Sequence, residues 1–276
     1  MKLAVFTAVV TSSLTFPSFS LADTYQTEIN ASYGETDSDY YYSDNYSISL
    51  QGKHYFSLID TTNLPLAEAA FLQKVSSFSL SLTNHAIEDG GVDGDSYQRA
   101  ASVTYFIPNS IFFVGAGIAE NKSNYEYHYV EDYSYEGAIS TDWSSRWNAT
   151  LGISPIDGLQ VWSEFFEDED VSEYWNLNAK YVKPLSGERA FSVETRYADS
   201  REIDIQSLTV NADYYFNRRF SVGAGITHYV FDDSDDDDNN SFIRARYFIT
   251  ENASVELSYF SSDYFDSWRI GGAVRF

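Results

Sequence analysis

Polar and apolar positions alternate along most of the chain with a period of two. Over residues 139–153, Ile139, Thr141, Trp143, Ser145, Trp147, Ala149, Leu151 and Ile153 fall on one side, and Ser140, Asp142, Ser144, Arg146, Asn148, Thr150 and Gly152 on the other. This period belongs to an extended strand with one face in an apolar medium and the other in a polar one. The same alternation holds over 46–58, where Ile48, Leu50 and Phe56 oppose Ser49, Gln51, Lys53 and Tyr55. It recurs at 191–197 and again at Trp268, Ile270, Gly272, Val274 and Phe276.

Two kinds of break separate the runs, and the kinds themselves alternate. One is a tight turn: Pro108-Asn109-Ser110, Pro155 to Gly158, Pro184 to Arg189, Asn217 to Arg219, and Thr250 to Asn252. These carry the residues that tight turns require. One connection of this set, Ile59 to Lys74, is longer. The other kind is acidic: 35–44, 86–96, 120–137, 167–173, 199–204, 232–240 and 261–267. Seven acidic loops make seven hairpins and fourteen strands. The expected fold is all-β: a transmembrane antiparallel up-and-down β-barrel of about fourteen strands, with short periplasmic turns and long acidic extracellular loops. In lipid every backbone donor and acceptor must be paired, so the last strand must meet the first. A soluble sandwich would also alternate, but it has no reason to keep its turns short on one side.

The first 22 residues read as an address. Lys2 supplies the positive start, Leu3 to Phe19 is mostly apolar, and Ser20-Leu21-Ala22 has the small residues of a cleavage site. The run is too short and too interrupted for a membrane-spanning helix. A single barrel domain, 23–276, is expected after cleavage near Ala22.

The 276-residue chain has 41 acids, 17 Lys and Arg, a net charge of −24 and no cysteine. The absence of cysteine excludes a disulfide scaffold, and the acidity disfavours nucleic acid as a partner. The distribution of charge says more than its total. The seven loops hold 29 of the 41 acids, but only Lys122 and Arg201 of the bases. Outside the loops the wall is nearly neutral and slightly basic. The densest run, Asp232 to Asp238, lacks the Gly and Glu of an EF-hand. It reads as a solvated loop; loose Ca²⁺ or Mg²⁺ binding through Asp235, Asp236, Asp237 and Asp238, bridging to lipopolysaccharide, is the sharper alternative.

Parity places Lys53, Arg146, Lys180, Arg196, Arg244, Arg246, Arg269 and Arg275 on the inward face, with Glu28, Glu164, Glu194, Asp213 and Glu256. An Arg or Lys on the lipid face near the midplane would cost ~2–4 kcal/mol, so these charges belong inside. Folding about the turn near Glu251 sets Arg246 opposite Glu256; folding about Ser186 sets Lys180 opposite Glu194. Such rows either satisfy a water-filled wall or set the ion preference of a pore. The small inward residues Ser49, Ser81, Ser102, Gly152, Ser192, Gly223 and Gly225 are expected to leave space for water. The outward parity carries Tyr25, Tyr33, Tyr46, Phe56, Phe112, Trp143, Trp147, Trp175, Tyr181, Tyr214, Phe216, Phe220, Tyr247, Tyr259, Trp268 and Phe276, as expected of interfacial girdles.

The terminal alternation Ile270, Gly272, Val274, Phe276 resembles the final strand of bacterial outer-membrane proteins, which the barrel-assembly machinery recognises; Phe276 would be that signal. Pro65-Leu66-Ala67-Glu68-Ala69-Ala70-Phe71-Leu72, followed by the strand Ser76 to Thr83, resembles the putative general porin family of Gram-negative bacteria. The plan of leader, acidic loops and terminal Phe is also similar to that family. The resemblance implies an outer-membrane pore and names no solute.

Other classes weigh less. His54, His85, His128 and His228 form no nucleophile–base–orienter spacing, so no enzyme and no cofactor are expected. The first strand begins within a few residues of Asp23, leaving no material for an N-terminal plug, and an open or loop-constricted lumen is expected. The 120–137 loop could fold inward as a constriction. A non-conducting structural or adhesion barrel is the main alternative, although such barrels are often narrower. The function expected is passive diffusion of small hydrophilic solutes or ions across the outer membrane, among lipid and lipopolysaccharide.

Overall fold

The computed structural model describes residues 23–38, 44–89, 92–129, 135–167, 174–201, 204–231 and 238–276. The expected leader, 1–22, lies outside them. The described residues form β1 (Thr24–Ser38), β2 (Asp44–Asp60), β3 (Ser77–Asp89), β4 (Val92–Phe106), β5 (Phe112–Tyr129), β6 (Tyr135–Ser140), β7 (Ser144–Ile153), β8 (Leu159–Phe166), β9 (Tyr174–Pro184), β10 (Ala190–Ser200), β11 (Ile205–Asn217), β12 (Phe220–Phe231), β13 (Asp238–Thr250), β14 (Ala253–Ser261) and β15 (Phe265–Arg275). A 3₁₀ turn, Leu66–Glu68, and a short helix, α1 (Ala69–Gln73), lie between β2 and β3.

Each strand pairs antiparallel with its neighbours, and β1 pairs with β15, from Glu28↔Arg275 to Ser38↔Phe265. The sheet therefore closes. β6 and β7 share one neighbour: β6 pairs with one end of β5 (Asn124↔Ser140), and β7 with the other (Phe112↔Ile153). The pairing offset changes by one across Thr141 to Trp143, so the run expected to be continuous over 139–153 is broken by a bulge. β6 and β7 make one stave, and the barrel has fourteen.

Leu50, Leu80, Leu82, Trp147, Leu151, Ile243 and Leu257 are each more than two-fifths exposed and point outward. That surface has no protein to cover it. Burying each such side chain in hydrocarbon contributes ~1.5–3 kcal/mol. No described helix is long and apolar enough to cross a membrane; the crossing elements are strands.

Three details depart from the sequence pattern. First, the strands run further into the acidic stretches than expected. β3 and β4 stay paired to Asp89↔Val92, and β5 and β6 to Tyr129↔Tyr135. The described part of 120–137 thus continues the wall instead of folding inward. Backbone pairing is indifferent to side-chain charge where both faces meet water, so acidity marked these residues as loop too early. Second, Tyr25 is inward, not outward. The pairing jumps from Tyr25↔Ile59 to Thr27↔His54, and this bulge flips Tyr25 against Tyr55, with ring centroids 5.7 Å apart. Third, an ion pair sits on the outward parity: Arg99 Nε lies 2.5 Å from Glu120 Oε2, with Arg99 4.2 Å over the Trp143 ring. Mutual neutralisation and stacking offset what a lone charge would cost there.

Candidate functional site: the barrel interior

The β2–β3 connection, 61–76, turns into the barrel. Pro65-Leu66-Ala67-Glu68-Ala69-Ala70 has helical apolar spacing, and an apolar turn can persist only where something covers it. Leu66 and Ala69 are fully buried, and Ala69 packs with Tyr25, Tyr55 and Ile59. Lys74, with φ 54°, caps α1 by donating to Phe71 O at 3.2 Å.

The insert is pinned to the opposite wall. Leu66 N donates to Arg218 O (2.9 Å), and Arg275 Nη1 to Leu66 O (2.8 Å). Arg218 Nη2 donates to Thr61 O (2.6 Å), and Gln160 Nε2 to Phe71 O (3.2 Å). Glu68 is buried; Tyr215 Oη donates to its Oε1 at 2.6 Å, and Lys180 Nζ lies 2.9 Å from Oε2. Together these contacts reach β8, β9, β11, β15 and the β11–β12 turn. Of the open or loop-constricted lumen expected from the sequence, the described residues show the constricted form, and the material that enters the bore comes from the first short-side connection, not from 120–137.

Above the insert the inward charges organise by register. Arg246 faces Glu256 across β13 and β14, with Nε 2.6 Å from Oε2. Arg244 binds Asp213 in a fork, Nε to Oδ1 at 2.7 Å and Nη2 to Oδ2 at 2.5 Å. Ser192 Oγ adds a third donor at 3.3 Å. Such bidentate pairs fix geometry as well as charge. Arg275 binds Glu28, and its guanidinium lies 4.6 Å from both the Tyr25 and Phe248 rings. Lys180 stands opposite Glu194 in the ladder, but its ammonium goes to Glu68. Arg196 Nη2 reaches Tyr174 Oη at 3.3 Å, Arg146 stacks 4.5 Å over Phe166, and Arg269 lies 5.9 Å over Phe260. Lys53 stands opposite Glu28 and 5.2 Å over Tyr55. Glu164 faces Thr150.

The small inward residues are less open than their size suggests. A Cβ on Gly152 would stand 2.1 Å from the Phe113 ring, and one on Gly223 2.1 Å from Asp213 Oδ1. Neighbouring side chains occupy those gaps. Ser79 and Ser102 bond to each other at 2.7 Å. Beside the insert lie two cavities of about 270 and 370 Å³ that share Ala67.

Phe276 N donates to Thr27 O at 3.0 Å, which places this residue at the barrel seam. His85 lies on the inward parity, and His228 Nδ1 is 3.0 Å from Asn239 Oδ1. Asp235, Asp236 and Asp237 lie outside the described residues; Asp238 opens β13 opposite Tyr229. Among the described residues no group of three or more His, Asp or Glu side chains could hold a metal ion.

A closed fourteen-stranded antiparallel barrel with an apolar outer face and a charged interior defines an outer-membrane β-barrel. Over residues 1–276 the chain matches the model of the putative general bacterial porin family, and it belongs to that family. It is therefore a porin, a channel and not an enzyme. Its fold is similar to the Acinetobacter baumannii outer membrane protein Omp33, with TM-score 0.66, 19% identity, and coverage of 92% of this chain and 99% of that one. A Pseudomonas aeruginosa FadL homologue gives TM-score 0.58 at 8% identity, covering 92% and 91%. No curated protein matches the sequence.

Proposed function

We propose that this porin passes small hydrophilic solutes or ions passively, by a route that skirts the 61–76 insert. The observation that carries this reading is the pair of cavities flanking Ala67, lined by Lys53, Glu164, Lys180, Arg246, Arg269 and other polar side chains. A barrel that served only as a scaffold would have no need to hold charge around free space. The inward charges are the residues we assign to the pore wall, Glu194, Arg196 and Arg146 included. Their slight basic excess acts on solutes inside, while the acidic rim concentrates cations outside. On this reading the acidic loops face the exterior, residues 1–22 are removed after Ala22, and Phe276 is recognised by the assembly machinery.

Single-channel recording of the refolded protein in a planar bilayer, under a salt gradient, tests the proposal. Stepwise conductance is expected, and the reversal potential gives the sign of selectivity. A folded barrel that never conducts would leave the structural-scaffold reading, which the wall-to-wall pinning of the insert favours.

A further inference from the structure

The larger cavity has a charge pattern that points to a ligand. It is lined by β2, β3, β4, β5, β7, β8 and β9 and by the insert, and has a volume of about 370 Å³. Four ionisable side chains other than Tyr55 line it: Lys53, Glu68, Glu164 and Lys180. Lys180 and Glu68 neutralise one another at 2.9 Å. Lys53 and Glu164 do not. Glu28, opposite Lys53 in the ladder, is taken by Arg275 and by Asn30 Nδ2. Glu164 stands between Thr150 and the β9 strand, where Asn176 bonds its backbone N and O and leaves the carboxylate unused. Among the described residues, neither Lys53 nor the Glu164 carboxylate has an ion-pair partner. The rings of Trp162, Phe113, Phe106 and Phe71 line the same cavity, with Phe106 and Phe113 5.0 Å apart.

We infer that this cavity is a subsite for short zwitterionic peptides. The argument is one of matching. The cavity is neutral overall, so a solute carrying one sign of charge would satisfy Lys53 or Glu164 and leave the other more exposed to repulsion. A neutral sugar could hydrogen-bond both through its hydroxyls but would neutralise neither. A peptide with a free carboxylate and a free ammonium at opposite ends answers both. Its side chain covers the aromatic floor, and its amide can bond Thr104 or Thr150. The volume lies in the range of small-molecule sites and suits a solute of two residues. The inference rests on the pore reading for its purpose, but binding itself needs no conduction.

The test is titration calorimetry on the micellar, folded protein with alanyl-phenylalanine and with its N-acetylated, C-amidated form, which keeps both side chains and loses both charges. Each charge-assisted hydrogen bond is worth roughly tenfold or more in affinity. The free dipeptide should therefore bind at least about tenfold more tightly than the capped one. Lys53→Met and Glu164→Gln should each remove about tenfold for the free dipeptide and leave the capped form unchanged. Equal affinity for free and capped peptide, or no binding of either, overturns the inference, and this comparison on the unaltered chain decides even if a variant fails to fold. Conductance is recorded on the same preparation. A conducting barrel that ignores the dipeptide removes the subsite and keeps the pore; a barrel that binds the dipeptide but never conducts does the reverse.

Discussion

The two ends of this barrel solve opposite problems with the same strands. At the short-turn end a sixteen-residue connection folds inward and is held by buried groups: Glu68 between Lys180 and Tyr215, and Arg275 on Leu66. At the other end the strands run on beyond the apolar band, and their described tips carry acids in water. One end is specified by contacts between residues far apart in sequence, the other by local pairing between adjacent strands. The first can therefore be disrupted by a single side chain, whereas the second tolerates substitution but not loss of pairing.

The strongest way to break the contrast is to remove the insert. Replacing 62–73 with a short Gly-Ser turn should raise single-channel conductance several-fold, because β2 and β3 still pair from Tyr55↔Ser77. Unchanged conductance would place the narrowest point elsewhere. Next comes Glu68→Gln, which strands the Lys180 ammonium. Breaking a largely buried pair costs about 3 kcal/mol, the low end of the range because Lys180 keeps some exposure. Hydrogen exchange at the Leu66 and Glu68 amides should quicken, with no change in β5 near Asn124. A smaller effect is expected at the fork on β11 and β13. Arg244→Gln leaves Asp213 uncompensated and should move the reversal potential towards cations, and Asp213→Asn should move it towards anions. Shifts of the same sign would show that the pair does not face the ion path. The smallest effect belongs to the outward pair. Replacing Arg99 and Glu120 together by Ala leaves no lone charge on the outward face and should change stability by less than about 1 kcal/mol, measured as the temperature at which the folded band is lost on a gel.

The wall is legible in the sequence because lipid enforces a period of two and the turns punctuate it. The juxtaposition of Arg246 and Glu256 follows from the same counting, since one tight turn fixes the register of a hairpin. What escapes is any contact that leaves the hairpin. Lys180 stands across from Glu194 as counting requires, yet its partner Glu68 lies 112 residues away, on a segment with no strand pattern. A signal for that segment was present: Leu66, Ala69 and Ala70 give a helical apolar stripe in a connection grouped with the turns. Tyr25 escapes for another reason. A bulge adds a residue to one strand and reverses parity, and side-chain type alone does not reveal it. The gaps at Gly152 and Gly223 mislead because a missing side chain is an invitation to the neighbour opposite.

Arg275 joins three distant pieces of chain: Glu28, 247 residues away, Leu66 O, 209 residues away, and the ring of Phe248. A slip of one residue at the β1–β15 seam would turn its side chain to the other face and forfeit every one of these contacts at once. The register of the seam and the seating of the insert are thus coupled through one guanidinium.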